Sequence, residues 1–164
     1  MSVMQRTKLV YSMLYCGRLN ISEEVVGRLL LWRQLKSSDR EAGGFLLGRH
    51  LIDSPHIIVD DITEPLRCDM RSRFSFFRSL SHNLIAKSKW SSSNKTCITL
   101  GTWHTHPELC PEPSLQDWND WKNTLKLGRY PSPFLFFLIL GLDEIRVWQG
   151  YCSEMISEVY RVKL

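Results

Sequence analysis

His104, Thr105, His106 and Pro107 stand together in the stretch Gly101–Asp117, GTWHTHPELCPEPSLQD. Side chains alternate faces along a strand, so His104 and His106 share one side, about 7 Å apart along the backbone. Two imidazoles on one face can share one metal ion. Pro107 ends the strand, and the three prolines in residues 107–113 demand a loop. The chain then enters a helix whose first turn carries Asp117, a third ligand within reach. Two histidines and one carboxylate leave a fourth position to water, which is a catalytic zinc arrangement rather than a closed structural one. A structural site would want four protein ligands, usually with thiolates, and Cys110 is the nearby cysteine. The same residues also suit ordinary roles. A His-x-His pair on a strand often serves packing or solvation, and Ser114 with Asp117 matches a helix-capping pattern that needs no chemistry. What favours chemistry is the joint spacing: H-x-H-P, six residues, then S-x-x-D.

That spacing resembles the JAMM motif of the JAB/MPN metalloproteases, H-[S/T]-H-P-x6-S-x-x-D, which follows an upstream glutamate in a strand context. Here Glu41 opens Glu41-Ala42-Gly43-Gly44-Phe45-Leu46-Leu47-Gly48, similar to the family's E-x-G-G-x-L-x-G. Every motif position is filled, and the resemblance spans roughly residues 20–150. It implies a curved sheet with helices on either side and one zinc at its edge, held by His104, His106 and Asp117. It also implies that Glu41 is the general base, taking a proton from water and handing it to the leaving amine. Ser114 matches the position whose hydroxyl steadies the oxyanion. Glu41 must then stay off the metal, since a fourth protein ligand would close the site. Gly43 and Gly44 would allow close backbone approach beside it.

The family hydrolyses peptide and isopeptide bonds, often freeing lysines from ubiquitin or its relatives. This chain has little room for the long insertions by which eukaryotic members grip ubiquitin. It is most similar to the deconjugating peptidases of CBASS anti-phage systems. That similarity implies a conjugated cGAS-like nucleotidyltransferase as partner, cut after its C-terminal residue. The alternative is a peptidase for a bacterial ubiquitin-like or sulfur-carrier protein. A non-catalytic MPN scaffold fits less well, because Glu41, His104, His106, Ser114 and Asp117 are all present. The arginines at 67, 71, 73 and 78 are candidates for holding the substrate's tail, with a solvated basic loop as the plainer reading.

Positioning these groups requires one folded core. The chain has 164 residues, 43% hydrophobic and 23% charged, which fits one domain over 1–164 and excludes wholesale disorder. The net charge of +4, without aromatic-basic interleaving, argues against a nucleic-acid partner. The longest apolar run is the seven residues Phe134–Leu140, against the roughly 20 a membrane helix needs, so no membrane span is expected. The N-terminal residues do not read as a signal peptide. Five cysteines without a CxxC fit a reducing cytosol rather than a disulfide framework, so the expected location is cytoplasmic.

Strand signals fall at residues 7–15, 43–51, 56–62, 96–104, 134–140, 144–149 and 154–163. Asp53-Ser54-Pro55 reads as the turn between the second and third of these. Helices are expected over 23–36, capped by Ser22, over 79–91 with Leu80, Leu84 and Ile85 on one side, and over 114–125. Residues 65–78 read as irregular. Trp103 should point away from the ligands into the core, and Trp118 and Trp121 should pack. His50, His56 and His82 show no metal-like spacing. Strands and helices mix without strict alternation, so the fold class is α/β or α+β: a curved mixed sheet flanked by helices.

Overall fold

A computed structural model of the chain describes residues 8–13, 17–151 and 155–164. Cys16 and Cys152, and the ends of the strand expected over 7–15, lie outside the described residues. In chain order the elements are β1 (Leu9–Ser12), β2 (Arg18–Ile21), α1 (Glu23–Leu30), β3 (Gly43–His50) and β4 (Ile57–Ile62). There follow β5 (Met70–Arg71), β6 (Phe76–Phe77), α2 (Ser81–Ser92), β7 (Ile98–Thr105) and α3 (Leu115–Leu127). Strands β8 (Phe134–Leu140), β9 (Glu144–Tyr151) and β10 (Met155–Lys163) complete the chain. The main sheet has eight strands in the order β1-β2-β4-β3-β7-β8-β9-β10. The pairs β2–β4 and β7–β8 are parallel and the others antiparallel, so the sheet is mixed. The parallel β7–β8 pair needs a long crossover, and α3 supplies it.

The sheet curves until its outer strands meet: the Tyr11 and Tyr160 ring centres are 4.0 Å apart. The inner face wraps Val25, Val26 and Leu29 of α1 together with Leu46, Leu100, Trp103, Phe136 and Leu138. The outer face is covered by two helices. Trp121 of α3 packs with Leu135, Phe137, Ile139 and Trp148, and Ala86 of α2 packs on Phe45, Leu47 and Cys97. This explains the unbroken apolar run of β8. Phe136, Leu138 and Leu140 face α1 while Leu135, Phe137 and Ile139 face α3, as befits a central strand buried on both sides.

Four details differ from expectation, the first being the strand β2, Arg18–Ile21, which lies outside the strand signals. Ser22 does cap α1, its hydroxyl accepting from the Val25 amide at 3.3 Å, but the helix ends at Leu30 rather than 36. Gln34 is 2% exposed, and its amide donates to the Arg73 carbonyl at 2.8 Å and accepts from the Thr105 hydroxyl at 2.9 Å. Those bonds draw the chain off the helical path. In α2 the inward residues are His82 and Ala86, whereas Leu80 and Leu84 are 82% and 69% exposed. His82 sets that rotation, with Nδ1 2.6 Å from the Thr63 hydroxyl and Nε2 3.0 Å from Asp69. Within 65–78 the chain forms a small hairpin, β5–β6, rather than a wholly irregular loop. Asp69 anchors its base by accepting from the Leu66 and Ser79 amides at 2.6 and 2.9 Å.

One backbone feature directs the rest. On β7, Ile98 and Leu100 face the inner core. Strict alternation would send Thr102 and His104 inward with them. Phe45 pairs with Thr102 and Leu46 with Gly101, but Leu47 pairs with Thr99, so Leu100 is an extra residue, a β-bulge. The bulge shifts the alternation by one, and Trp103 now fills the core while Thr102 and His104 line a cleft on the outer face. Gly101 makes it possible, with φ +154° and its Cα facing the β8 backbone. A Cβ there would lie 1.7 Å from the Phe136 carbonyl oxygen, which the β-ladder holds in place. Gly101→Ala should therefore cost about 2–4 kcal/mol of stability, read as a lower urea midpoint. A wild-type midpoint would show that the bulge tolerates a side chain.

Candidate metal centre

The cleft lies where β7 ends. Thr105 is the last residue of β7, and it holds the approach to β3: its amide donates to the Ala42 carbonyl and its hydroxyl accepts from the Ala42 amide, both at 2.9 Å. The His106 amide donates to the Leu140 carbonyl at 3.0 Å, continuing the sheet past the strand. Opposite, Ser114 caps α3 in a capping box. Its hydroxyl accepts from the Asp117 amide at 3.1 Å, and the Asp117 carboxylate accepts from the Ser114 amide at 2.7 Å. The capping role foreseen for Asp117 is thus present, and the cap leaves its carboxylate lining the cleft.

The side chains converge. His104 Nε2 lies 3.0 Å from His106 Nε2 and 3.1 Å from Asp117 Oδ1, and His106 Nε2 lies 3.4 Å from Asp117 Oδ2. Ligand atoms of a tetrahedral site with bonds of about 2.0–2.1 Å are spaced roughly 3.3–3.4 Å apart, so this triangle fits one metal ion. Two imidazole nitrogens facing each other and a carboxylate form a set of electron-pair donors with room for a cation between them. Cys110 stands outside this cluster, exposed on the loop and leaning toward Glu144.

Glu41 reaches the same cleft from the segment before β3, whose register pairs Gly43 with His104. Its backbone is pinned by the Ser72 carbonyl at 2.7 Å and the Arg71 guanidinium at 2.6 Å. It is 6% exposed and belongs to the cleft but not to the ligand triangle. Burial pushes its carboxyl up to about 7, with His106 pulling down and Asp117 and Glu108 adding to the rise. Burial would also raise Asp117, but hydrogen bonds from His104 and His106 hold it well below the usual carboxylate range. His106 is raised: burial opposes its charge, and Asp117 and Glu41 outweigh that. The two carboxyls are thus driven apart, one ionised beside the imidazoles and one poised near neutrality.

The loop between the motif halves is fastened from outside. The Leu142 and Asp143 amides donate to the Glu108 and Leu109 carbonyls at 2.7 and 3.1 Å. Arg146 of β9, 3% exposed, donates to the Pro111 carbonyl at 2.9 Å and ion-pairs with Glu112 and with Glu158 of β10. Sequence reasoning missed Arg146, Thr105 and Gln34. A cation inside the apolar strand Glu144–Tyr151 is a signal that could have exposed Arg146. Of the arginines singled out, Arg71 and Arg73 bond backbone carbonyls, Arg67 is exposed, and Arg78 enters the cleft. Trp121 stacks on Phe137 at 4.7 Å, and Trp103 donates to the Thr63 carbonyl at 3.0 Å, so both are core residues.

The family model describing prokaryotic homologs of the JAB domain matches residues 23–151. The chain belongs to the prokaryotic JAB family. Curated relatives bearing the name CD-NTase/cGAS isopeptidase are similar to this JAB chain. One from Escherichia coli is 32% identical over 161 residues, 98% of this chain and 97% of the relative. One from Vibrio cholerae is 37% identical over 142 residues, 86% of each. A Pseudomonas aeruginosa relative is 37% identical over 107 residues, 65% of this chain and 66% of the relative, just under two thirds of its length. A solution structure of a protein from Desulfitobacterium hafniense shares the fold, with a TM-score of 0.59 at 22% identity, covering 84% of this chain and 87% of that one.

The charge arrangement sets a pH dependence. Glu41 titrates at about 7 when folded against an ordinary value of 4.5. Between those values the folded JAB domain keeps a proton that the unfolded chain has lost, so stability falls as pH rises through the window. Glu41→Gln removes that cost. The metal-free Gln variant should be more stable than metal-free wild type by on the order of 1–3 kcal/mol near pH 8, and equal to it near pH 4. Denaturant titrations of chelated protein at both pH values check this, and a difference independent of pH would contradict it.

Proposed function

We propose that this JAB protein is a zinc-dependent isopeptidase that releases a conjugated cGAS-like nucleotidyltransferase in the cytoplasm by cutting after that protein's C-terminal residue. The observation that carries the reading is the His104–His106–Asp117 triangle with Glu41 beside it, in a chain aligned over 98% of its length with a relative named for that activity. Among the described residues no helix is long and apolar enough to cross a membrane.

His104, His106 and Asp117 are the residues to hold zinc. Zinc bound there would supply Lewis acidity and bring the pKa of a water near 7. The protein's own groups do the rest. Glu41 accepts the proton of the attacking water and delivers it to the departing lysine nitrogen. Its carboxyl serves both steps because its affinity for a proton lies near neutrality. The Ser114 hydroxyl, which donates to Asp117 at 2.7 Å in this structure, can turn to the carbonyl oxygen of the bond being cut. The capping box holds that hydroxyl at the cleft's rim. The open cleft admits an extended tail, whereas a folded surface could not bring its backbone to the triangle.

Fusion of the nucleotidyltransferase to a reporter protein tests the reading, with intact mass as readout. One cut at the junction, blocked by zinc chelation, is the expected result. Glu41→Ala should keep its zinc and lose turnover by about 10²–10⁴-fold or more. Scattered cuts, a cut inside the reporter, or near-normal turnover in Glu41→Ala would overturn it.

A further inference from the structure

The cleft encloses about 500 Å³ and runs back from the ligand triangle along β7. The chain around β6, Phe76 to Arg78, lines one wall, and Asp120, Asn123 and Thr124 of α3 line the other. Its charge is uneven. Glu41, Glu108, Asp117 and Asp120 all line it, and Arg78 is the one lysine or arginine among the lining residues.

Arg78 differs from its neighbours in the same segment. Arg71 donates to the Glu41 and Arg40 carbonyls at 2.6 and 3.3 Å, and Arg73 donates to the Lys36 carbonyl at 2.9 Å. The Arg78 guanidinium lies 4.1 Å from the centre of the Phe45 ring, and among the described residues it has no hydrogen-bond acceptor. Burial lowers its proton affinity below the ordinary arginine range, and Tyr130, Asp69 and Asp120 act on it only through space. A half-buried cation without a partner is costly unless something else supplies one. The aromatic ring accepts no ordinary hydrogen bond, so the guanidinium N–H groups stay available to grip a carboxylate with two parallel hydrogen bonds.

We propose that Arg78 is a specificity-determining residue that binds a side-chain carboxylate in the substrate's acyl-side tail. The proposal rests on the isopeptidase reading. An enzyme that frees one protein from many lysines meets a constant acyl side and a varied amine side, so a built subsite suits the constant part. The acidic groups lining the rest of the cleft repel a carboxylate elsewhere. The tail is therefore read at one position, where Arg78 reaches.

The test uses zinc-loaded wild-type enzyme and a synthetic library of tail peptides joined through their C-termini to a lysine reporter. Each acyl-side position is varied among Asp and Glu, Asn and Gln, and Lys and Arg. Wild type should favour an acidic residue at one position by about tenfold or more in kcat/KM over its amide, the worth of a charge-assisted hydrogen bond. Arg78→Gln should flatten that preference and Arg78→Glu should reverse it toward Lys and Arg, with zinc content and melting temperature measured for both. Cleavage by wild type without acidic preference, or a preference surviving Arg78→Gln, overturns the subsite alone. The wild-type arm needs no variant to fold. If wild type cleaves no linked peptide, the isopeptidase reading itself fails, and the subsite with it.

Discussion

The cleft side of this molecule depends on one extra residue in β7. A strand shows alternate side chains to alternate faces, and an eight-residue strand hydrogen-bonded on both edges to β3 and β8 has no freedom to rotate. Leu100 and Trp103 both face the inner core, three residues apart, which strict alternation forbids. The bulge at Leu100–Gly101 resolves the conflict. With it His104 joins His106 and Asp117; without it His104 would point toward α1. The requirement for glycine at 101 thus has the same origin as the ligand geometry.

Around that strand, the parts that must not move are held from several directions. Thr105 ties the end of β7 to Ala42, and so fixes where Glu41 enters the cleft. Gln34 ties the same Thr105 to Arg73, in the turn at the tip of the β5–β6 hairpin. Arg146 fastens the loop joining the motif halves to β9 and β10. Precise placement matters because the electrostatics are local. Asp117 is kept ionised by the two imidazoles it touches, while burial pushes the Glu41 carboxyl up to about 7. A shift of either group would erase the difference in proton affinity between the two carboxyls.

The ligand cluster is legible in the sequence because its spacing is set by local geometry: two residues on one strand face, a proline stop, and the first turn of a capped helix. Glu41 is legible only through the family resemblance, since no local rule links residue 41 to residue 106. The sheet, its hairpin at Asp53 and the two-sided burial of β8 follow from apolar patterning. What patterning misreads are places where a long-range polar contact overrides it. Gln34 ends α1 early, and His82 rather than Leu84 turns toward the sheet because its two ring nitrogens meet Thr63 and Asp69. Arg146 and the parity change at Gly101 depend on partners tens of residues away, which periodicity cannot see.

The proposed site brings two imidazoles and one carboxylate to a single ion and keeps Glu41 off it. Zinc-edge X-ray absorption of the loaded protein tests this directly. Four-fold coordination by two imidazole nitrogens and two oxygens at about 2.0–2.1 Å, unchanged by Glu41→Gln, is the expected result. A sulfur shell at about 2.3 Å, a missing imidazole, or a spectrum altered by Glu41→Gln would contradict it.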